Sequence, residues 1–341
     1  MPSRRGPRVI RALGIGSLVA GGLLALPACS SDGDRLTVYS GRTEDLIGPL
    51  LERFSDDTGI AIDVRYGDSA DLAQLIDTEG GRSPADVFIS QSPGAVAFLD
   101  EADRLAPLGD DVLASVPDED EDGDGNWVGI TGRVRVLVYN VDTVDVADLP
   151  ASVFDLTAPQ YEGRVGVAPG NGSFQDFVTA MRQTEGEDET RAWLEGMAAN
   201  DAQVYPNNVS IVEAVGRGEI ELGLVNHYYN ERAKAEDPGV ASENHFFAAG
   251  DLGGLLLVTA ASIVDGAAQG SDGERLVEYL LGQDAQRYFA TETQEYPLAA
   301  GVEPDGDLPP LDSLNVTRID FDELGGLART EELIERSGIT G

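Results

Sequence analysis

The segment Leu36-Thr37-Val38-Tyr39-Ser40-Gly41-Arg42-Thr43 decides how the chain begins to fold. Its first residues predict a β-strand, and the Ser-Gly pair predicts the turn that ends this strand. Apolar residues then recur at helical spacing over residues 46–54, and alternation over residues 60–66 predicts a second strand. A strand, a helix and another strand in this order indicate an α/β sheet.

The same alternation continues along most of the chain. Short apolar runs predict further strands over residues 85–89, 134–139, 164–168 and 220–225, and residues 255–263 form another apolar run. Helical spacing predicts helices over residues 71–79, 174–181, 211–218 and 276–289. We find no internal repeat and no long linker. Small ligands usually bind at the strand-to-helix junctions of such sheets.

The composition limits the function. The chain has 341 residues and a formal net charge of −38, from 23 Lys and Arg against 61 Asp and Glu. This charge argues against a nucleic-acid-binding protein, because phosphate contacts need a basic surface. One cysteine and two histidines exclude a disulfide framework and a Cys-rich or His-rich metal site. A metal site here must therefore use oxygen donors, which select hard cations.

The N-terminal residues predict an export signal. Four arginines precede an apolar run over residues 13–26, and Leu26-Pro27-Ala28-Cys29 resembles a bacterial lipobox. We predict a signal peptide over residues 1–28, a lipidated Cys29 and a tether over residues 29–35. The mature protein is then expected to be held to the outer face of the cytoplasmic membrane by its acyl chains alone.

The segment Asn226-His227-Tyr228-Tyr229-Asn230 is the most informative polar cluster. It follows a predicted buried strand, so these side chains are expected at the mouth of a cleft. Adjacent tyrosines at a strand end can simply be packing residues. In this polar context they also suit Fe³⁺, because a bound cation lets a tyrosine, whose free pKa is about 10, ionise at neutral pH.

Two further segments are candidates for anion binding. Asn171-Gly172-Ser173-Phe174 opens a predicted helix, whose first N–H groups either hold an oxyanion or form an ordinary cap. Alternation along the strand places Arg133 and Arg135 on the same side, where one can pair with a carboxylate and the other can bind carbonate or phosphate. An anion held there would balance the charge left on Fe³⁺ by two phenolates.

The sequence carries no enzyme signature. A nucleophile elbow, a P-loop, a zinc-protease helix and a dinucleotide-binding loop are all missing. We therefore predict that the chain is not an enzyme. A secreted hydrolase that uses His227 and a surface lipoprotein that acts as a sensor or adhesin are the alternatives from other classes.

In the motifs it carries and in their order along the chain, the protein resembles the ferric-ion-binding extracytoplasmic solute-binding proteins of ABC iron importers. The resemblance covers nearly the whole mature length. The motifs are Val38-Tyr39-Ser40-Gly41-Arg42, Pro84-Ala85-Asp86-Val87-Phe88, residues 132–139, Asn207-Asn208, Asn226-His227-Tyr228-Tyr229 and Glu295-Tyr296-Pro297. The resemblance implies the type II periplasmic-binding fold, in which two α/β lobes, each a mixed sheet flanked by helices, enclose a cleft. We place the N-terminal lobe at residues 36–133 plus about 257–306, and the C-terminal lobe at residues 134–256 plus about 307–341.

The resemblance also implies the site residues. Tyr228 and Tyr229 would ligate Fe³⁺, and Arg133 matches an arginine that helps to hold an anion near the metal. The positions that match the family's site for a synergistic anion are Asn171, Gly172, Ser173, Asn208 and Asn226. Further candidates for the cleft are Arg42, Thr43 and Gln91.

The chain departs from the family at three positions. Thr43 stands where some members have a His, Gln91 where they have a Glu, and Phe174 lies in a loop where others have a third Tyr. The chain therefore resembles a variant with two tyrosine ligands, whose remaining coordination comes from carbonate, phosphate, citrate or water. The implied function is capture of Fe³⁺ with this anion, as a monomer, and delivery to an ABC transporter permease. The alternative keeps the fold but binds an anionic organic solute, such as a phosphonate or a carboxylate.

Overall fold

The computed structural model describes residues 35–304, 308–319 and 327–341. The predicted signal peptide and Cys29 lie outside the described residues. Among the helices that are described, none is both long enough and apolar enough to cross a membrane.

Strands and helices alternate as the sequence predicts. The strands are β1 Leu36–Ser40, β2 Ile62–Tyr66, β3 Val87–Ser90, β4 Leu105–Ala106, β5 Trp127–Asn140, β6 Val165–Val167, β7 Gln203–Val204, β8 Leu222–Asn226, β9 Ser242–His245, β10 Leu256–Val264 and β11 Tyr296–Pro297. The helices are α1 Glu44–Thr58, α2 Ser69–Glu79, α3 Pro93–Glu101, α4 Asp110–Leu113, α5 Gly172–Thr184, α6 Glu187–Ala199, α7 Asn208–Gly216, α8 His227–Glu236, α9 Gly270–Leu281, α10 Gln283–Thr291, α11 Leu311–Leu314 and α12 Leu327–Ser337. Every predicted strand overlaps an observed one.

Two predicted elements have different bounds in the structure. The helical pattern over residues 276–289 is divided into α9 and α10, because Gly282 between them adopts an extended backbone conformation with ψ 152°. The strand predicted over residues 134–139 begins seven residues earlier, at Trp127, because residues 127–134 pair with β10.

The strands form a mixed sheet in the order β2-β1-β3-β10-β5-β8-β6-β7. β1 is parallel to β2 and β3, whereas β10 is antiparallel to β3 and β5. On the other side, β8 is antiparallel to β5 and parallel to β6. The first half of β5 pairs with β10, and its second half, from Arg135 onward, pairs with β8 and β9. β5 is thus the strand that connects the two halves of the sheet.

Helices cover both halves of the sheet and bury its apolar side chains. α1 contributes Ile47, Leu50 and Phe54 to the larger core, at spacings that place them on one face of the helix. A second, smaller core forms where Ile211 and Val215 of α7 pack against the second half of the sheet. The helices α5, α7 and α8 each begin just beyond strands β6, β7 and β8. Their N-termini therefore supply the surroundings of the candidate site.

Candidate metal and anion site

The tyrosine pair lies at the start of a helix. The buried strand β8 ends at Asn226 and α8 begins at His227, so Tyr228 and Tyr229 occupy its first turn. Their ring centroids are 4.1 Å apart and their planes differ by 30°. Tyr229 is partly exposed and lines a cavity of about 650 Å³, whereas Tyr228 is only 1% exposed and lies behind it.

The surroundings of Tyr228 oppose ionisation of its phenol in the absence of a metal. Burial raises the pKa of Tyr228 well above its ordinary value of 10, and the neighbouring Tyr229 raises it further. The charge of Arg133 acts in the opposite direction. A phenolate is thus disfavoured here unless a strong cation binds beside it.

The predicted anion-binding residues meet in one hydrogen-bond network. Arg135 donates through Nη1 to Asn226 Oδ1 at 3.2 Å and to Ser173 Oγ at 3.4 Å. Asn208 donates through Nδ2 to Ser173 Oγ and to Asn171 Oδ1, both at 3.2 Å. We call these five residues the Arg135 network. It brings together four of the side chains that the sequence predicted.

Local structure explains why these residues converge. Asn171 caps α5, since its Oδ1 accepts a hydrogen bond from the Ser173 backbone N–H at 3.1 Å. Asn208 is the first residue of α7, and Asn226 is the residue before α8. Arg135 lies opposite Asn226 in the register of β5 and β8. The network therefore connects the N-termini of three helices with one arginine, and helix N-termini and arginine both favour an anion.

Arg135 has a hydrogen-bond donor that no protein group uses. It is 1% exposed, its Nη2 has no hydrogen-bond partner, and no ion pair joins it to a carboxylate among the described residues. Burial lowers the pKa of Arg135 to about 10, which still leaves it protonated at neutral pH. The Nδ2 of Asn226 is likewise buried without a partner. Buried donors of this kind are costly unless a ligand accepts from them.

Arg133 and Gln91 lie in the wall of the cavity. The Nη2 of Arg133 closely contacts the backbone carbonyl of Gln91 and donates to the carbonyl of Val258 at 3.1 Å. Its Nε has no hydrogen-bond partner. Gly172 lines the same cavity, and a Cβ at this position would meet nothing within 4 Å. The structure thus brings these three candidates to the cavity.

Arg42 and Thr43 are not among the side chains that line the cavity. Arg42 is fully buried and forms a bidentate ion pair with Glu295, with distances of 3.0 Å and 2.5 Å. Thr43 is exposed at the N-terminus of α1. Neither residue hydrogen-bonds to the Arg135 network, so these two candidates lie outside it. Tyr228, Asn208 and Asn226 do not line the cavity either, but Tyr228 packs against Tyr229, which does, and the two asparagines belong to the network.

His227 is enclosed by protein. It is 0% exposed, its Nδ1 accepts a hydrogen bond from the Val134 N–H at 3.2 Å, and its ring lies 4.7 Å from that of Tyr296. Burial lowers the pKa of His227 to about 4, so the ring is neutral at pH 7. A buried neutral ring has no access to a substrate, unlike the base of a hydrolase.

Two residues of the site were not selected from the sequence. The sequence offers Arg135 and Arg133 together, and both are buried without an ion-pair partner among the described residues; only Arg135 hydrogen-bonds to Asn226 and Ser173, which makes it the centre of the network. Asp176 is 2% exposed, lines the cavity and accepts a hydrogen bond from Ser92 Oγ at 2.8 Å. The signal available for Asp176 was its position one helical turn after Ser173, on the same face of α5.

Known proteins share this architecture. The major ferric iron-binding protein of Neisseria meningitidis is 30% identical over 333 residues, which cover 95% of this chain and 98% of that protein. The structure of iron-bound HitA from Pseudomonas aeruginosa has a TM-score of 0.85 at 34% identity, and the match covers 89% of this chain and 99% of that one. The structure of Trichodesmium FutA with iron and citrate has a TM-score of 0.76 at 25% identity, and the match covers 89% of this chain and 99% of that one.

A Salmonella typhi periplasmic protein, provisionally named for 2-aminoethylphosphonate binding, is 23% identical over 263 residues, or 74% of each chain. These relatives are binding proteins, which confirms the prediction that the chain is not an enzyme. The structural matches confirm the predicted two-lobed α/β fold. The chain matches the bacterial extracellular solute-binding proteins over residues 82–324, in agreement with the predicted location outside the cytoplasm. It therefore belongs to the family of bacterial extracellular solute-binding proteins.

Proposed function

We propose that this protein binds Fe³⁺ together with a synergistic anion outside the cytoplasm and delivers the ion to an ABC transporter permease. The observation that carries the proposal is the stacked pair Tyr228 and Tyr229, of which Tyr229 lines a cavity that Asn171 and Ser173 of the Arg135 network also line. The ferric-binding protein of Neisseria and iron-bound HitA support the assignment of the ion.

Tyr228 and Tyr229 are the proposed metal ligands. Phenolate oxygens are hard donors and Fe³⁺ is a hard cation. The burial that disfavours a phenolate at Tyr228 without metal is offset when a trivalent cation lies beside it. Because Tyr228 lies behind Tyr229, we infer that the cleft opens to admit the ion and closes around it. Closure would then be the signal that the permease recognises.

The Arg135 network is the proposed holder of the anion. Two phenolates leave Fe³⁺ with a single positive charge, so a bound anion completes both charge and coordination. Arg135 Nη2 and Asn226 Nδ2 supply the unpartnered buried donors, and the N-terminus of α5 supplies further N–H groups. Arg133 contributes from the cavity wall. Carbonate, phosphate and citrate are the candidate anions, and the FutA complex supports citrate.

The remaining coordination positions fall to the anion or to water. Thr43 is exposed and does not line the cavity, and Gln91 offers only a neutral amide. Phe174, at the position where the resemblance implies a third tyrosine in some family members, is apolar and 1% exposed. We therefore assign two protein ligands to the metal.

The cellular arrangement follows from the same proposal. We propose lobes at residues 36–133 plus about 257–306 and at residues 134–256 plus about 307–341, a division supported by the change of partner along β5. We further propose that residues 1–28 are removed, that Cys29 carries the lipid anchor, and that the protein acts as a monomer.

A second candidate ligand is an anionic organic solute such as a phosphonate or carboxylate. The observation in its favour is the cavity volume of about 650 Å³, which exceeds the space needed by one metal ion and a small anion. Arg133 and the start of α5 would then carry the binding, and the tyrosines would be cavity walls.

A visible absorption titration tests the proposal. Residues 30–341 are expressed, stripped of metal and titrated with ferric citrate, with and without bicarbonate. We expect a saturable tyrosinate-to-Fe³⁺ charge-transfer band that the Tyr228→Phe, Tyr229→Phe double variant lacks, since both phenolate donors are then removed. The matched control Tyr66→Phe, on β2 outside the cavity lining, should retain the band. Absence of the band in the unaltered protein would contradict the iron assignment and favour the organic solute.

A further inference from the structure

We propose that His227 is a positioning residue for the metal and anion site, and that its hydrogen bond with the Val134 N–H holds the tyrosine pair at a fixed place relative to the two neighbouring arginines. This inference rests on the proposed function, because it concerns how Fe³⁺ and its synergistic anion come to bind together. It adds a residue that is enclosed by protein and acts through its neighbours.

The first argument is the place of the two bonded residues in the sequence. His227 directly precedes the tyrosine pair, which supplies the proposed metal ligands. Val134 lies between Arg133 and Arg135, the two arginines proposed to serve the anion. The Val134 N–H donates to His227 Nδ1 at 3.2 Å. One hydrogen bond between residues far apart in sequence therefore connects the metal ligands with the anion-binding arginines.

The second argument is a gap in the pairing of β5. β11 pairs with β5 at Gly132, and β8 pairs with it from Arg135 onward. Val134 lies between these two ladders, and β8 ends at Asn226, directly before His227. Val134 is 1% exposed, so its N–H would be costly without a partner. The ring of His227 accepts this N–H where the neighbouring strand has ended.

The third argument is that His227 is held from both halves of the sheet. Its ring lies 4.7 Å from the ring of Tyr296 on β11, which pairs with the first half of β5. Its backbone carbonyl accepts a hydrogen bond from Asn244 Nδ2 at 3.0 Å, and Asn244 lies on β9, which pairs with the second half of β5. The first turn of α8, which begins at His227, is thus fixed at the junction of the two halves.

The position of this turn matters because the site is built from both sides of the junction. Arg133 pairs with β10 in the first half of the sheet, whereas Tyr229 follows β8 in the second half, and both line the cavity. An anion that touches the metal and an arginine together depends on the distance between them. Outer hydrogen bonds keep such groups in place before the ligand arrives. Without the bond to Val134, metal and anion should bind more independently of each other.

Two variants of matched shape test the role of the acceptor. His227→Asn places an oxygen where histidine has Nδ1, whereas His227→Leu has the same branching and places a methyl group there. Both are titrated with ferric ion at a series of bicarbonate concentrations. For His227→Leu we expect the bicarbonate concentration that gives half of the tyrosinate band to rise about tenfold or more, and the band maximum to shift. His227→Asn should stay within about threefold of the unaltered protein, because it keeps the acceptor.

His245→Leu is the control. It also removes a histidine that hydrogen-bonds to the backbone, through Nε2 to the Pro150 carbonyl at 2.7 Å, but His245 lies outside the cavity lining. Both readouts should therefore be unchanged. Urea unfolding gives the stability of each variant. A role for His227 in stability alone would lower the free energy of unfolding without moving the band or its bicarbonate dependence.

The unaltered protein provides a second measurement that needs no variant to fold. An acceptor nitrogen carries no proton, so the neutral ring of His227 must be protonated on Nε2. ¹⁵N NMR of the imidazole groups at pH 7 reports this, and the contact of the ring with Tyr296 identifies the His227 signals. Protonation of Nδ1, equal behaviour of the Asn and Leu variants, or an unchanged band and bicarbonate dependence in His227→Leu would each overturn the inference.

The tyrosinate band of the unaltered protein separates the two proposals. Its absence would contradict the proposed function and this inference with it. A band that is present and insensitive to His227→Leu would contradict this inference alone.

Discussion

Two buried arginines of this protein have opposite surroundings. Arg42 forms a bidentate ion pair with Glu295 and donates to Thr259 Oγ1 at 3.1 Å. Burial alone would lower the pKa of Arg42, but the charge of Glu295 outweighs it and the pKa is raised. Arg135 has only neutral partners, one nitrogen without any partner, and a pKa lowered to about 10.

The difference separates a structural charge from a binding charge. The carboxylate of Glu295 balances the charge of Arg42 within the protein, so Arg42 needs no anionic ligand. The charge of Arg135 is only partly compensated, and an incoming anion completes its contacts. Asp176 is the acidic counterpart of Arg135, since both are buried without an ion-pair partner among the described residues, and Asp176 also lines the cavity. Whether a buried charge has an ion-pair partner within the protein is thus a better guide to function here than its burial or its sign alone.

The largest expected effect comes from breaking the compensated pair. Glu295→Gln should lower the free energy of unfolding by about 3–5 kcal/mol, because it leaves the buried Arg42 charge without its carboxylate. Urea unfolding at pH 7 measures this loss. The control Glu219→Gln removes an exposed partner of Arg217 and should cost less than about 0.5 kcal/mol. Similar losses in both variants would remove the distinction drawn for Arg42.

Replacement of Asp176 should have a smaller effect on the free energy of unfolding, and this effect should be stabilising. Its pKa in the folded protein is about 7, above the ordinary value of 3.8. The native state therefore binds more protons than the unfolded state between these values, and stability falls as the pH rises toward 7. A difference of this size corresponds to roughly 4 kcal/mol at most.

Asp176→Asn removes this dependence. We expect the variant to be more stable than the unaltered protein by about 2 kcal/mol at pH 8, since burial of the introduced amide N–H₂ group offsets part of the maximum, and by less at pH 5.5. Urea unfolding at both pH values provides the measurement. A variant that is less stable at pH 8 would show that the carboxylate is compensated within the protein after all.

The smallest expected effect on stability is at Arg135. Arg135→Met replaces an incompletely partnered buried charge by an apolar side chain of similar length, so the free energy of unfolding should fall by no more than about 1 kcal/mol. The bicarbonate concentration that gives half of the iron band should rise at least tenfold, because the anion loses its arginine. Arg217→Met on the surface is the control for both measurements. A large loss of stability would place Arg135 beside Arg42 as a structural residue.

Much of the fold could be predicted because its signals are local. Apolar runs and helical spacing located the predicted strands and helices, and Gly-Ser after Asn171 marked the start of α5. Two bounds could not be obtained in this way. The full length of β5 depends on pairing with β10, which lies more than 100 residues further along the chain, and the break at Gly282 interrupts an apolar pattern that continues across it.

The sequence by itself determined the α/β class, the family and the presence of a tyrosine pair directly after a buried strand. Only the tertiary structure decided that Asn171, Asn208 and Asn226 meet around one arginine, since they belong to different strand-to-helix junctions. It also decided that Arg42 is paired and Arg135 is not. Composition and spacing specify which charges a chain carries, but the desolvation and pairing of each charge depend on residues distant in sequence that folding brings together.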